Sequence, residues 1–142
     1  MRKSNTVLVV DDEDSDRSAI VKCLQDAGYN VLEAESYESA MAVSSSHAGI
    51  SFLVADVALP DGNGCALATA IRERNENMQV LFVSGHVGSE VCRYYGLDVA
   101  DLHFLRKPFE PADLLARVKQ VVKSRAPFPN LYVPKTWSSS GT

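Results

Sequence analysis

Short apolar runs alternate along this chain with longer amphipathic segments, and this alternation constrains the fold more than any other feature. Five runs stand out, at residues 7–10, 30–33, 52–55, 80–83 and 102–105. Continuous runs rich in β-branched residues are typical of strands that are buried on both faces of a parallel sheet. Five repeats of strand and helix therefore predict an α/β fold, with a doubly wound parallel sheet of five strands and helices on both faces.

The segments between the runs carry apolar residues at spacings of three and four, which is the period of an amphipathic helix. These segments lie at residues 14–27, 36–43, 67–74, 89–95 and 110–123. The first is followed by Gly28, a residue type that commonly ends helices, and the second is predicted to end before the serines at 44–46. Pro111 is compatible with the first turn of the last helix.

Composition limits the classes of protein to which the chain can belong. Its 142 residues suffice for one domain, and 46% apolar with 23% charged residues is ordinary globular composition. The formal net charge of −4 argues against a broad, nonspecific grip on nucleic acid or on an anionic membrane. Three widely separated cysteines, no apolar signal segment and no run of membrane-spanning length favour a reduced, cytoplasmic protein.

The strand and helix pattern ends after Ser124. Residues 125–142 hold three of the six prolines and no acidic residue, which predicts a Pro/Ser-rich tail or linker after a domain at residues 5–124. Three aromatic residues, Phe128, Tyr132 and Trp137, leave open a tail that docks on its own or another chain. Because these 18 residues are too few for a DNA-binding effector, we expect no direct binding of nucleic acid by this chain.

Polar residues follow the strands of the predicted sheet. Asp11 and Asp12 follow the first strand, Asp56 the third, Ser84 the fourth and Lys107 the fifth. The carboxyl ends of parallel strands form the functional crevice of doubly wound folds, so these side chains should meet there. Carboxylates brought together repel one another unless a cation lies among them, and a site of oxygen ligands alone suits Mg²⁺. An added lysine is suited to neutralise a phosphoryl group during its transfer.

Four blocks of sequence, taken in order, carry a family resemblance. They read VLVVDDE at residues 7–13, DVALPDGNG at 56–64, SG at 84–85 and FLRKPF at 104–109. Over residues 5–124 the chain resembles the receiver domain of response regulators in two-component signalling. The resemblance implies a flavodoxin-like (βα)5 fold with strand order 2-1-3-4-5.

The resemblance also implies a role for each matching residue. Asp56 is expected to accept a phosphoryl group from a phosphohistidine on a histidine kinase or a histidine phosphotransfer protein. Asp11, Asp12 and Asp56 are expected to bind Mg²⁺ together with the backbone carbonyl of Ala58. Lys107 is expected to pair with the Asp56 carboxylate and then with the phosphoryl oxygens, and the Lys107–Pro108 bond to be cis.

Two residues are expected to transmit the phosphorylated state. The Ser84 hydroxyl would donate to the phosphoryl group, and Phe104 would follow by changing rotamer. This couples the site to the surface formed by the fourth helix, fifth strand and fifth helix, through which a homodimer could form. We hypothesise that Ala58 and His86, which flank the site, tune the lifetime of the aspartyl phosphate. Apart from self-catalysed gain and loss of phosphate, the chain is not expected to be an enzyme.

Several of these residues have simpler interpretations. The acidic run at residues 11–16 is compatible with a solvated helix start, Ser84 with a helix cap, and Phe104 with core packing. Gly62 and Gly64 are interpreted as turn glycines that need a positive φ.

Two alternative functions remain open on the sequence. A haloacid-dehalogenase-like phosphatase would use a similar aspartate and Mg²⁺, but it requires an acid two residues past the nucleophile, where this chain has Ala58. A degenerate receiver would act only as an interaction module, against which the complete set of site residues argues.

Overall fold

The computed structural model describes residues 5–85, 93–94, 96–98, 100–125, 127–129 and 131. This part of the chain forms one five-stranded sheet, a short hairpin and four helices of a turn or more. In chain order the elements are β1 (Thr6–Val10), α1 (Asp14–Asp26), β2 (Asn30–Ala34), α2 (Tyr37–Ser46), β3 (Ile50–Asp56), β4 (Ala58–Leu59), β5 (Gly62–Asn63), α3 (Gly64–Arg72), β6 (Gln79–Ser84), β7 (Phe104–Arg106) and α4 (Pro111–Ser124). No helix within those described ranges combines the length and apolar character needed to cross a bilayer.

The five strands of the sheet run parallel in the order β2-β1-β3-β6-β7. Since β4 and β5 form a separate two-stranded sheet, this order is the 2-1-3-4-5 arrangement expected from the resemblance, which is confirmed. The register pairs Val10 with Ala55 and Asp56 with Val83. The carboxyl ends of the three central strands therefore lie side by side at one edge of the sheet.

Both faces of the sheet are covered, which explains the continuous apolar runs. Leu8 and Val10 of β1 point to the face packed by α2 and α3, whereas Val7 and Val9 point to the face packed by α1 and α4. All four side chains are at most 1% exposed. A strand with two buried faces needs apolar residues at every position instead of every second one.

Helix α2 is longer than the sequence predicts. It continues through the serines at 44–46 and ends at Ser46. The hydroxyls of Ser44 and Ser46 donate to the carbonyls of Met41 and Ala42, so these side chains bond within the helix instead of ending it.

The fifth strand of the sheet begins later than predicted. Residues 102–103 lie in a turn, and β7 starts at Phe104. The Asp101 side chain accepts a hydrogen bond of 2.8 Å from the backbone N–H of His103, and the Asp101 carbonyl accepts one of 3.1 Å from Phe104. This local turn uses backbone groups that a longer strand would pair with β6. Most of the helix predicted at residues 89–95 lies outside the described residues. Residues 93–94, which the structure does describe, are helical.

The first part of the tail packs against its own domain. Phe128 and Leu131 are partly buried against the cluster on the α2–α3 face. The guanidinium carbon of Arg72 in α3 lies 4.6 Å from the centroid of the Phe128 ring, which is cation–π geometry. The sequence left open whether the tail is a solvated linker or docks on its own or another chain, and this part of it docks on its own domain. Tyr132 and Trp137 lie outside the described residues.

Candidate functional site

The carboxyl edge of the sheet brings together the polar residues that follow the strands. Asp11 follows β1, Asp56 and Ser84 end β3 and β6, and Lys107 follows β7. Asp11, Asp56 and Ser84 are 0%, 7% and 1% exposed, whereas Asp12 is exposed. Three buried polar side chains at one edge of the sheet indicate a site that binds charged ligands.

The Lys107 ammonium is the hydrogen-bonding centre of the site. Its Nζ lies 2.7 Å from Oδ2 of Asp11, 2.9 Å from Oδ2 of Asp56 and 3.0 Å from Oδ2 of Asp16. Its backbone N–H donates to the Ser84 carbonyl at 2.9 Å, which joins the end of β6 to the residue after β7. The Lys107–Pro108 peptide bond is cis. The sequence predicted a partnership with Asp56, but it gave no signal that Asp16 is a third partner.

Asp56 is held at both of its carboxylate oxygens. Oδ1 accepts the backbone N–H of Ala58 at 2.9 Å, and Oδ2 accepts Lys107. Burial raises the pKa of Asp56 above its ordinary value, and the Asp11 charge acts in the same direction against the hydrogen bonds from Lys107 and Ala58. Burial by itself would lower the pKa of Lys107, but its bonds to Asp11 and Asp56 raise it, so the lysine stays charged.

Three carboxylates form a potential metal site. Asp11, Asp12 and Asp56 each offer an oxygen within 4.8 Å of the others, two of them buried and one exposed. Oxygen ligands with one side open to water are the environment that Mg²⁺ prefers, since it keeps several of its waters. The donor set fits this ion. Ala58 follows Asp56 by two residues at an exposed position of β4, where its carbonyl would complete the ligands.

The acidic run at residues 11–16, which extends into the first turn of α1, is ordered by specific partners. The Asp11 Oδ1 accepts the backbone N–H of Glu13 at 2.9 Å. Arg17 donates from Nη1 to the Asp11 carbonyl at 2.8 Å, from Nη2 to Asp14 at 2.7 Å and from Nε to Glu33 at 3.0 Å. Asp11 is therefore fixed at its side chain and its main chain. The run is more than a solvated helix start, because its members bond to Arg17 and Lys107.

Two glycines beside the phosphoacceptor candidate are explained by space, and the prediction of positive φ for them is wrong. The described glycines with positive φ are Gly28, Gly49 and Gly96. A Cβ on Gly64 would lie 2.5 Å from the Asp56 carbonyl oxygen, and one on Gly62 would lie 2.8 Å from Cδ2 of Tyr37. The glycines thus permit close packing of the segment after Asp56.

Asp61 ties the β4–β5 hairpin to α2. Its carboxylate accepts the backbone N–H of Tyr37 at 2.7 Å and of Glu38 at 3.0 Å, which are the first two residues of that helix. Burial would raise the pKa of Asp61, but these backbone hydrogen bonds lower it below its ordinary value. The sequence marked Asp61 only as part of a turn, since its partners lie in a different element.

The residues expected to transmit the signal occupy buried positions. Ser84 ends β6, and Phe104 is 2% exposed, paired in register with Phe82 and packed in the cluster on the α2–α3 face. In this structure Phe104 is a core side chain. His86 lies outside the described residues.

Comparisons with known proteins show which family the sequence resembles. The family described as response regulator receiver domain matches residues 7–119. The chain is 34% identical over 123 residues to the sensor kinase CckA of Brucella abortus, covering 86% of this chain and 13% of that protein. It is 33% identical over 124 residues to the phosphate regulon transcriptional regulatory protein PhoB of Pseudomonas aeruginosa, covering 86% and 53%. The chain thus spans about half, or much less, of the length of these relatives.

Solved structures show the same similarity. A response regulator receiver protein from Sinorhizobium medicae superposes with a TM-score of 0.74 at 30% identity, covering 87% of this chain and 98% of that one. The receiver domain of the hybrid histidine kinase CckA superposes with a TM-score of 0.65 at 33% identity, covering 81% and 96%.

Proposed function

Since the chain belongs to the response regulator receiver domain family, a family of phosphoacceptors in two-component signalling, we propose that Asp56 is its phosphoacceptor. The chain is a signalling domain, and receiver domains interact with histidine kinases. We propose that the donor is a phosphohistidine on a histidine kinase or a histidine phosphotransfer protein. The observation that carries this proposal is the Asp56 carboxylate held between the Lys107 ammonium and the Asp11–Asp12 pair.

The proposed reaction is a transfer of the phosphoryl group to a carboxylate. A lone pair on an Asp56 oxygen forms the new bond to phosphorus while the phosphorus–nitrogen bond of phosphohistidine breaks. The imidazole leaves with the electron pair of that bond and retains a proton. Lys107 donates to the equatorial phosphoryl oxygens, where negative charge accumulates during the transfer.

We propose that Asp11, Asp12, Asp56 and the carbonyl of Ala58 hold Mg²⁺. The bound ion would neutralise charge on the phosphoryl oxygens. Lys107 cannot do this alone, because one ammonium already faces three carboxylates. The exposed Asp12 leaves a side from which water and phosphoryl oxygens can reach the ion.

For the output we propose that Ser84 donates its hydroxyl to the bound phosphoryl group and that Phe104 changes rotamer in response. The conformational change would reach the surface that includes β7 and α4, where a homodimer could also form. Ala58 and His86 are proposed to set the lifetime of the aspartyl phosphate. We also propose a cytoplasmic location, which the wide separation of the three cysteines along the chain supports.

The test is phosphorylation by acetyl phosphate with Mg²⁺, comparing wild type with Asp56→Asn. We expect one stable, alkali-labile phosphate on the wild type and none on the variant, because the amide lacks the nucleophilic oxygen. Asp26→Asn is the matched control, since Asp26 pairs with Lys22 on the exposed side of α1.

Three results would contradict the proposal. Equal labelling of Asp56→Asn would place the acceptor elsewhere. Repeated hydrolysis of an added phosphoester would instead support a phosphatase of the haloacid-dehalogenase type. No labelling under any condition would support a domain that acts only through interactions.

A further inference from the structure

Asp16 contacts the centre of the site without belonging to the metal cluster. It lies in the first turn of α1, and its Oδ2 is 3.0 Å from Nζ of Lys107. Its side chain is 47% exposed, whereas those of Asp11 and Asp56 are 0% and 10% exposed. Lys107 therefore has two buried carboxylate partners and one that reaches solvent.

The ammonium has no donor to spare for a phosphoryl group. A lysine ammonium carries three N–H donors, and in this structure three carboxylates take them. While the phosphoryl group is being transferred, Asp56 is still a carboxylate bonded to Lys107, so a donor for the incoming phosphoryl oxygens has to come from the bond to Asp11 or to Asp16. Asp11 is fully buried, so water could not replace the ammonium if Lys107 released it, even with Mg²⁺ bound beside it, and the loss of that hydrogen bond would be costly. Release of Asp16 only exchanges an ammonium contact for water.

Building on the proposed function, we propose that Asp16 is the exchangeable partner of Lys107. It positions the ammonium while Asp56 carries no phosphate, and it gives up its place when the phosphoryl group arrives. A cavity of about 430 Å³ adjoins Asp16 and Lys107, with Ala19 and Ile20 among its lining residues, and it gives the Asp16 side chain room to rotate away. Asp16 thus competes with phosphorylation, both for the N–H donor and through its negative charge.

The prediction is a gain of function when the carboxylate is removed. Asp16→Asn and Asp16→Ala should raise the initial rate of phosphorylation by acetyl phosphate about two- to fivefold, the size expected for a partly exposed ion pair. The same variants should lower, by a similar factor, the beryllofluoride concentration that half-saturates Asp56, measured by fluorine NMR with Mg²⁺ present. A variant that merely damaged the structure would lose phosphorylation and anion binding, so a gain in both identifies a positioning role.

The control variant removes a negative charge from the same helix at a distance. Asp26 of α1 pairs with Lys22 at 3.4 Å and has a 67% exposed side chain, so Asp26→Asn should match the wild type. If both Asp16 variants match Asp26→Asn, the role of Asp16 is overturned while the function of Asp56 stands. If the wild type takes up neither phosphate nor beryllofluoride on Asp56, the proposed function itself fails, and the inference fails with it.

Discussion

Gly64 is the position where one added methyl group most directly tests the geometry of the phosphoacceptor. In Gly64→Ala the new Cβ would lie 2.5 Å from the carbonyl oxygen of Asp56 and 3.2 Å from Cα of Val57, against ordinary contacts of at least 3.4 Å. Both atoms belong to the main chain at the end of β3, so no side chain can rotate to make room. The β3 end itself must shift, and Asp56 must shift with it.

The sign of the stability change decides whether this steric reasoning holds. Gly64 begins α3 with a φ that alanine can adopt, so without a clash the change would stabilise the helix by about 0.5–1 kcal/mol. Overpacking of a close contact costs about 1–3 kcal/mol. We therefore expect a net loss of about 1–2 kcal/mol in the free energy of unfolding. Since misplacement of a reacting group by 1 Å can cost about a hundredfold in rate, a shift of a few tenths should slow phosphorylation about tenfold.

Gly85→Ala is the matched control, because a Cβ at Gly85 meets no atom of the described residues within 4 Å and its φ is not positive. This variant should be unchanged or more stable by about 0.4–1 kcal/mol. Urea unfolding gives the stability of both variants, and acetyl phosphate labelling gives their rates. If Gly64→Ala proves as stable as Gly85→Ala and is phosphorylated at the wild-type rate, the close approach of Gly64 to Asp56 does not constrain the site.

Two further predictions concern the hairpin and the metal site. Asp61→Ala should lower the free energy of unfolding by about 1 kcal/mol through loss of its cap on α2. Because folding lowers the pKa of Asp61 from 3.8, this stabilisation is present above that pH and disappears as the pH falls through the lower folded value. Urea unfolding at neutral and acidic pH should show the gap between wild type and variant closing, and a constant gap would refute the charged cap. Mg²⁺ at about a hundred times its dissociation constant should stabilise the wild type by about 2.7 kcal/mol. Asp12→Asn should lose most of this gain in thermal unfolding, and an equal gain would exclude Asp12 as a ligand.

The sequence determined the class of fold, because its information on strands and helices is local. Apolar runs such as residues 7–10 report burial on both faces, and spacings of three and four report one face of a helix. The sequence also predicted that Asp11, Asp56 and Lys107 lie at one edge of the sheet, since parallel strands align their carboxyl ends. The strand order came from the resemblance, because alternation alone does not fix which strands are neighbours.

The ends of helices and strands were predicted less well where side-chain hydrogen bonds compete with the preference of the sequence. Residues 102–103 have the composition of a strand but form a turn, because the Asp101 side chain captures the backbone of His103. The serines at 44–46 continue α2 because two of their hydroxyls find carbonyl partners in the preceding turn. In both places side-chain hydrogen bonds outweigh the local preference of the sequence.

Which side chains share a hydrogen-bond donor or occupy neighbouring space depends on how the helices and strands pack together. Asp16 and Lys107 are 91 positions apart, and they meet because the Lys107 side chain reaches Asp11 and Asp56 at the ends of β1 and β3, beside the first turn of α1. Asp61 reaches the start of α2 across 24 positions, and Gly64 is a glycine because the main chain of Asp56 fills the place of its side chain. A sequence pattern reports periodicity along one element, whereas these contacts depend on the distances between elements after packing.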